Sequence, residues 1–93
     1  MDDRRDGRAA DGTATRAALE QTVRDTIGVV LGRNIPAGDP LVRDDQPDWD
    51  SLKHIELVFA LEGALGIRFE AEEIGELTDV DAIVELAEKH GAA

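Results

Sequence analysis

The sequence predicts an all-α fold: a small bundle of three main helices and one short helix, with a long loop between helices one and two. Apolar side chains recur every three or four residues in three separate segments, the spacing of one buried helix face. No segment alternates apolar and polar residues for long enough to form a useful strand. With 93 residues, the chain has room for a single small domain.

The first main helix is predicted from about Thr15 to Leu31, and Gly32 suits the left-handed residue just past a helix end. Its apolar stripe consists of Leu19, Val23, Ile27, Val30 and Leu31. Residues 1–12 hold charged residues, Ala and Gly, with no large apolar side chain after Met1. We therefore expect a disordered tail at residues 1–12 and a folded domain at residues 13–93.

A long connection is expected from Arg33 to Asp50. Pro36, Pro40 and Pro47 are spaced through it, and each proline removes a hydrogen-bond donor and restricts the residue before it. Leu41 and Val42 lie in the middle of this loop, and we expect them to attach it to the core.

The second main helix is expected to begin at Asp50–Ser51, to run to about Leu65 and to stop at Gly66. It carries two apolar stripes, whereas a surface helix in a small bundle needs one. The first stripe consists of Leu57, Leu61 and Leu65, and the second of Leu52, Ile55, Phe59 and the stem of Glu62, with Glu56 beside it. Either the helix is mostly buried, or the second stripe meets a partner or a bound chain.

The rest of the chain is expected to hold the short helix and the last main helix. Ile67 and Phe69 alternate with Arg68 in a short extended turn, and a brief helix follows near Ala71 to Leu77. Thr78 to Asp81 form a capping box with Asp in place of the usual Glu or Gln. The last helix has the stripe Val80, Ile83, Val84 and Ala87, and it ends at Lys89–His90–Gly91.

Composition narrows the classes of function. A formal charge of −11 argues against nucleic-acid binding, and the absence of cysteine removes disulfides and thiolate metal sites. The start lacks a basic-then-apolar signal pattern, and no apolar run reaches the length of a membrane span, so we expect a cytoplasmic monomer that binds no membrane. The small size favours a binding or carrier module over an enzyme.

The negative charge is concentrated in the middle of the chain. Residues 39–76 hold eleven acidic residues against Arg43, Lys53 and Arg68, a net charge of −8. This stretch is either a solvated surface that keeps the chain soluble or an electrostatic face for basic partner proteins.

Ser51 lies at the first turn of helix two, with Asp50 placed as its N-cap. This pattern is common in helix starts, so capping alone is one interpretation. A nucleophile activated by His54 is another, but a triad needs a third group and an oxyanion site that the pattern does not supply. A calcium loop beginning at Asp44 fails, because Trp49 stands where Gly is required and Ile55 where the bidentate Glu belongs. We expect no metal.

Trp49-Asp50-Ser51-Leu52, followed by Ile55-Glu56-Leu57-Val58-Phe59-Ala60-Leu61-Glu62, resembles the Asp-Ser-Leu motif and recognition helix of acyl carrier proteins. The resemblance extends over about Thr15 to His90 and includes the preceding loop and the later Gly-Ile-x-Phe turn. It implies that Ser51 carries 4′-phosphopantetheine from coenzyme A and that Asp50 and Leu52 belong to the motif. It also implies that partner enzymes meet Leu52, Ile55, Glu56, Phe59 and Glu62.

The chain departs from the pattern of housekeeping fatty-acid carriers at three places. Lys53 stands where many of them have an acid, Gly63–Ala64 replace acids, and Trp49 precedes the motif. The resemblance implies a discrete, non-catalytic carrier of thioester-bound acyl groups, and the departures favour a specialised biosynthetic pathway over the housekeeping one. Its partners would be a phosphopantetheinyl transferase and enzymes that load or use the cargo. An aminoacyl or peptidyl carrier and an acidic helical interaction module without a prosthetic group remain the alternatives.

Overall fold

A computed structural model describes residues 12–91, which form four α-helices and one 3₁₀ turn, with no strand among them. Helix α1 spans Gly12–Leu31, α2 spans Ser51–Leu65, α3 spans Ala71–Ile74 and α4 spans Val80–Lys89. Three of these helices are longer than seven residues and α3 is a single turn, which confirms the all-α prediction. None of the helices in the described part combines the length and apolar content that a membrane crossing requires.

Helix α1 packs against both α2 and α4, and the core lies between these three helices. The stripes of α1 and α4 are buried as expected, whereas Val30 and Leu31 are half-buried at the edge of the core. The buried apolar side chains of the helices are Leu19, Val23, Ile27, Leu57, Val58, Leu61, Val80, Ile83, Val84 and Ala87.

Both predicted helix stops are confirmed by backbone geometry. Gly32 and Gly66 adopt positive φ angles of 74° and 67°, a left-handed conformation that costs glycine little because it has no Cβ. In each case the N–H of the glycine itself bonds back to a carbonyl of the last helical turn, as Gly66 N–H does to Glu62 at 2.9 Å.

Three boundaries and one loop segment differ from the sequence prediction. Helix α1 begins at Gly12, three residues before Thr15, and the rest of the predicted tail at 1–12 lies outside the described residues. Helix α3 ends at Ile74 instead of Leu77. The capping box at Thr78 is wrong, because Asp79 is the N-cap and its Oδ1 accepts the Ala82 N–H at 2.7 Å. The long loop also contains an unexpected 3₁₀ turn, Arg43–Asp45.

The long loop is held against the helices at several points. The buried Arg24 guanidinium of α1 donates to the carbonyl oxygens of Pro36 at 2.9 Å and Asp39 at 2.6 Å. Leu41 is fully buried, as predicted, although its φ of 50° is unusual for a residue with a side chain. The Asp39 carboxylate accepts the Leu41 N–H at 2.9 Å, which helps to hold this conformation.

Candidate functional site

Ser51 is the first residue of α2 and its side chain is exposed. Asp50 precedes it in extended conformation, and the Asp50 Oδ1 accepts the Lys53 N–H at 2.9 Å, so the predicted N-cap is confirmed. The amides of Ser51 and Leu52 have no acceptor among residues 12–91. The start of α2 therefore presents a hydroxyl and free N–H groups to solvent.

Beneath this turn, Trp49 and His54 form a buried hydrogen-bonded pair. The Trp49 indole Nε1–H donates to His54 Nδ1 at 3.0 Å, and His54 Nε2 lies 2.7 Å from the carbonyl oxygen of Ile74 at the end of α3. Both side chains are buried, and their ring centroids are 6.1 Å apart. This pair links the residues on both sides of Asp50–Ser51 to the last residue of α3.

The two hydrogen bonds determine the form of the His54 ring. An indole N–H can only donate and a carbonyl oxygen can only accept, so Nδ1 carries no proton and Nε2 carries one. Both ring nitrogens are thus occupied within the fold. His54 has no free nitrogen to take the Ser51 hydroxyl proton, and the two residues do not form a nucleophile–base pair.

The two stripes of α2 have opposite surroundings. Leu57 and Leu61 are 1% and 0% exposed, and Leu65 packs half-buried against the core. By contrast, Leu52 is 67%, Ile55 46% and Phe59 69% exposed; we call these three residues the outward stripe. Of the two interpretations that the sequence allowed, the structure supports the helix with one buried and one exposed apolar face.

The two acidic residues expected beside the outward stripe differ in their contacts. Glu56 is about half exposed, and its carboxylate lies 3.4 Å from the Lys53 ammonium. Glu62 is half-buried, and its Oε2 accepts the Phe69 N–H at 3.0 Å. Glu56 is therefore a charged edge of the stripe, whereas Glu62 also stabilises the turn that leads to α3.

Part of the acidic stretch is paired within the fold. Arg33 donates Nε–H to Asp48 at 2.8 Å, and this hydrogen bond lowers the pKa of Asp48 and raises the pKa of Arg33. Glu73 is buried and bonded to His90 and Lys89. The other eight acids of this stretch have no ion pair among the described residues. Asp39 and Glu62 are half-buried, and the remaining six are exposed: Asp44, Asp45, Asp50, Glu70, Glu72 and Glu76.

The side chains of the rejected calcium loop have other functions. Asp48 pairs with Arg33, and Asp50 caps α2. Across residues 12–91, no group of three or more His, Asp or Glu side chains is arranged to hold a metal ion.

Sequence reasoning missed the importance of Trp49 and His54. One signal was available, because His54, Leu57, Val58 and Leu61 follow the i, i+3, i+4, i+7 spacing of a buried face. A histidine at such a position must satisfy both ring nitrogens within the fold, and the tryptophan five residues earlier is a suitable donor.

The chemistry open to this site follows from its geometry. The Ser51 hydroxyl is exposed at the start of α2, and both ring nitrogens of His54 are bonded to other residues. Comparison of the chain with protein-family models, with curated proteins and with solved structures finds no match.

Proposed function

We propose that this chain is a discrete, non-catalytic carrier protein that bears 4′-phosphopantetheine on Ser51 and presents thioester-bound acyl groups to other enzymes. The observation that carries the proposal is the exposed Ser51 at the start of α2, followed directly by the outward stripe. The proposal is also supported by the resemblance of the Trp49–Glu62 segment to acyl carrier proteins. When bound, the group would supply a flexible arm with a terminal thiol for the cargo.

Attachment needs a second protein. A phosphopantetheinyl transferase would remove the Ser51 proton, and the Ser51 oxygen would attack the phosphorus that bears the pantetheine arm of coenzyme A. The bond between the two phosphate groups would break, a phosphodiester would form on Ser51, and 3′,5′-ADP would leave. This division of labour accounts for a functional serine that His54 does not activate.

The residues around Ser51 fit a phosphodiester. The free amides of Ser51 and Leu52 lie at the positive end of the α2 dipole, which favours an anion. The Lys53 ammonium could add to this only by leaving Glu56, to which it is paired at 3.4 Å. The amides are therefore the main contribution of this chain to holding the group.

The outward stripe is the surface that partner enzymes would meet. Leu52 directly follows the attachment residue, and Ile55 and Phe59 continue the same face with Glu56 at its edge. A contiguous exposed apolar face with a charged edge is typical of an interaction site. We propose that the transferase, the loading enzyme and the downstream enzymes of a specialised pathway use this face in turn.

The stripe would equally suit an interaction module that has no prosthetic group, so modification decides between the two functions. The purified chain is incubated with coenzyme A and a broad-specificity transferase, and its intact mass is measured. We expect a gain of one phosphopantetheine group. Since the chain has no cysteine, a thiol assay should change from no thiol to one per chain.

Ser51 is the only serine in the sequence, which makes the mapping simple. Ser51→Ala should gain no mass, while Thr78→Ala, which removes an exposed hydroxyl after α3, should be modified as fully as the wild type. If the wild type stays unmodified with several transferases, or Ser51→Ala is modified, the carrier proposal is wrong.

A further inference from the structure

The segment between α3 and α4 is connected to Trp49 at both of its ends. At one end, the Ile74 carbonyl bonds to His54, which in turn accepts the Trp49 indole N–H. At the other end, the Thr78 carbonyl accepts the Arg43 N–H at 2.8 Å, and Arg43 Nε lies 3.4 Å from the Trp49 carbonyl oxygen. Trp49 stands two residues before Ser51, so both connections lead to the segment that directly precedes the site.

Helix α3 depends on such contacts for its position. It is a single turn of four residues, and a helix this short does not hold its own geometry in water. The bond from His54 attaches its last residue to the first turn of α2, where Ser51 also lies. Glu73 joins α3 to α4, whereas the His54 bond joins α3 directly to the turn that holds Ser51, so a change in the His54 ring should alter how α3 lies relative to Ser51.

The Trp49–His54 hydrogen bond is also costly to break, because both of its groups are buried. A buried indole N–H or imidazole nitrogen that loses its partner keeps the cost of having left water. The pair therefore has one satisfied arrangement, which fixes both ring orientations and the Ile74 carbonyl together.

We infer that Trp49 and His54 are positioning residues for the Ser51 site, which hold α3 in one place beside the start of α2 so that an enzyme meets both as a single surface. The inference rests on the proposed function of Ser51. The transferase supplies the base, and this chain supplies the Ser51 oxygen and the surface that the transferase recognises. Loss of the pair should therefore raise the KM of the transferase for this chain and leave kcat nearly unchanged.

Three variants test the pair. His54→Leu removes both hydrogen bonds of the ring and fills its place with an apolar side chain. Trp49→Phe removes only the indole donor and part of the ring system. His54→Gln keeps a carbonyl acceptor and N–H donors, so it should restore part of the function. Val84→Ala, in the buried face of α4, is the control for a loss of stability that has no connection to Ser51.

For each variant we would measure the steady-state kinetics of modification and the rate of amide hydrogen exchange. The kinetics are corrected for the fraction of the variant that is folded. We expect KM to rise at least about tenfold in His54→Leu and Trp49→Phe, because part of the recognised surface would no longer lie where the transferase binds it. The increase should be smaller in His54→Gln and absent in Val84→Ala. Amide hydrogen exchange at residues 71–78 should be faster in His54→Leu and Trp49→Phe than in the wild type.

The inference is overturned if His54→Leu and Trp49→Phe both keep the wild-type KM, or if exchange at residues 71–78 is unchanged in both. Should His54→Leu fail to fold, Trp49→Phe alone decides. In the wild type, the indole N–H of the single tryptophan gives its own resonance, and it should be protected from solvent. If the wild type accepts no phosphopantetheine, the carrier proposal fails, whereas the exchange measurement still decides whether the pair holds α3.

Discussion

The Glu73 Oε1 of α3 lies 2.7 Å from Nε2 of His90, the C-cap residue of α4. The same oxygen accepts the Glu70 N–H at 2.8 Å, and Oε2 lies 3.2 Å from the Lys89 ammonium. The His90 ring also packs edge-on against Phe69, with ring centroids 6.0 Å apart. One buried carboxylate therefore joins the start of α3 to the end of α4.

Glu73 should make the stability of the fold depend on acid pH. The Glu70 N–H, followed by His90 and Lys89, lowers the pKa of Glu73 to about 2 from an ordinary 4.5. Because the folded state favours the ionised form, its stabilisation is complete above pH 4.5 and is lost as the pH falls toward 2. Glu73→Gln should therefore lower the urea midpoint at neutral pH, and its difference from the wild type should close over that range.

The neighbouring Glu72 provides the control for this experiment. It lies on the same short helix but is exposed, so Glu72→Gln should leave the urea midpoint close to that of the wild type across the same range. If Glu73→Gln keeps a constant difference from the wild type between pH 5 and pH 2, the ionised carboxylate is not what holds α3 to α4.

The exposed acids should direct partner enzymes toward the outward stripe. Charges at the surface act over about 30 Å at 0.01 M salt but only about 3 Å at 1 M. The association rate of the chain with a transferase should therefore fall as salt rises. Glu56→Gln should lower that rate and its salt dependence more than Glu85→Gln, which removes an equal charge from the exposed side of α4. Rates that do not change with salt would show that the acidic stretch serves solubility alone.

The helices and their stops could be predicted from the sequence because the signals are local. Leu19, Val23 and Ile27 repeat at helical spacing, and Gly66 ends α2 in the left-handed conformation that glycine allows. The exact ends of the helices were harder to predict from the sequence. Thr78 and Asp79 are both good N-caps, and a tertiary hydrogen bond favours Asp79. The carbonyl of an N-cap accepts the first intrahelical bond, but the Thr78 carbonyl accepts the Arg43 N–H at 2.8 Å.

The exposed part of the site, which is the outward stripe, could be predicted from the sequence, whereas the contacts of the buried Trp49–His54 pair could not. Two stripes on α2 indicated an exposed face, and Leu52 and Phe59 are indeed exposed. The buried pair depends on where the Ile74 carbonyl lies, 20 residues from His54, and no local pattern specifies that contact. The path of the loop depends in the same way on the Arg24 guanidinium, which reaches Pro36 and Asp39 from α1.

Gly28 and Gly63 should respond to alanine in opposite directions. An alanine Cβ at Gly28 would lie 2.7 Å from the Arg33 carbonyl oxygen, a backbone atom in the turn after α1. Gly28→Ala should therefore destabilise the fold by about 1–3 kcal/mol. At Gly63, on the exposed side of α2, a Cβ would meet nothing within 4 Å, so Gly63→Ala should stabilise the helix by about 0.5–1 kcal/mol. Urea unfolding would measure both changes in stability, provided that the slope of the unfolding free energy against urea concentration is the same in all variants. A stabilising Gly28→Ala would contradict the close approach of the Cβ to the Arg33 carbonyl.

Phe59 and Leu61, two residues apart on α2, should separate partner binding from folding. Leu61 is fully buried, so Leu61→Ala should cost about 2–5 kcal/mol of stability. Phe59 is 69% exposed, so Phe59→Ala should change stability by no more than about 0.5 kcal/mol, as is usual for surface substitutions. Because Phe59 belongs to the outward stripe, Phe59→Ala should instead slow modification of Ser51 and loading of cargo.

Urea midpoints and modification rates, measured side by side, check this last prediction. Leu52→Ala provides a second substitution on the outward stripe, and it should resemble Phe59→Ala in keeping stability and losing rate. If Phe59→Ala unfolds the chain as readily as Leu61→Ala, Phe59 contributes to the core. If both stripe variants keep the wild-type rates of modification and loading, partner enzymes do not use the outward stripe. Truncating a side chain at the centre of a binding surface should slow at least one of these reactions.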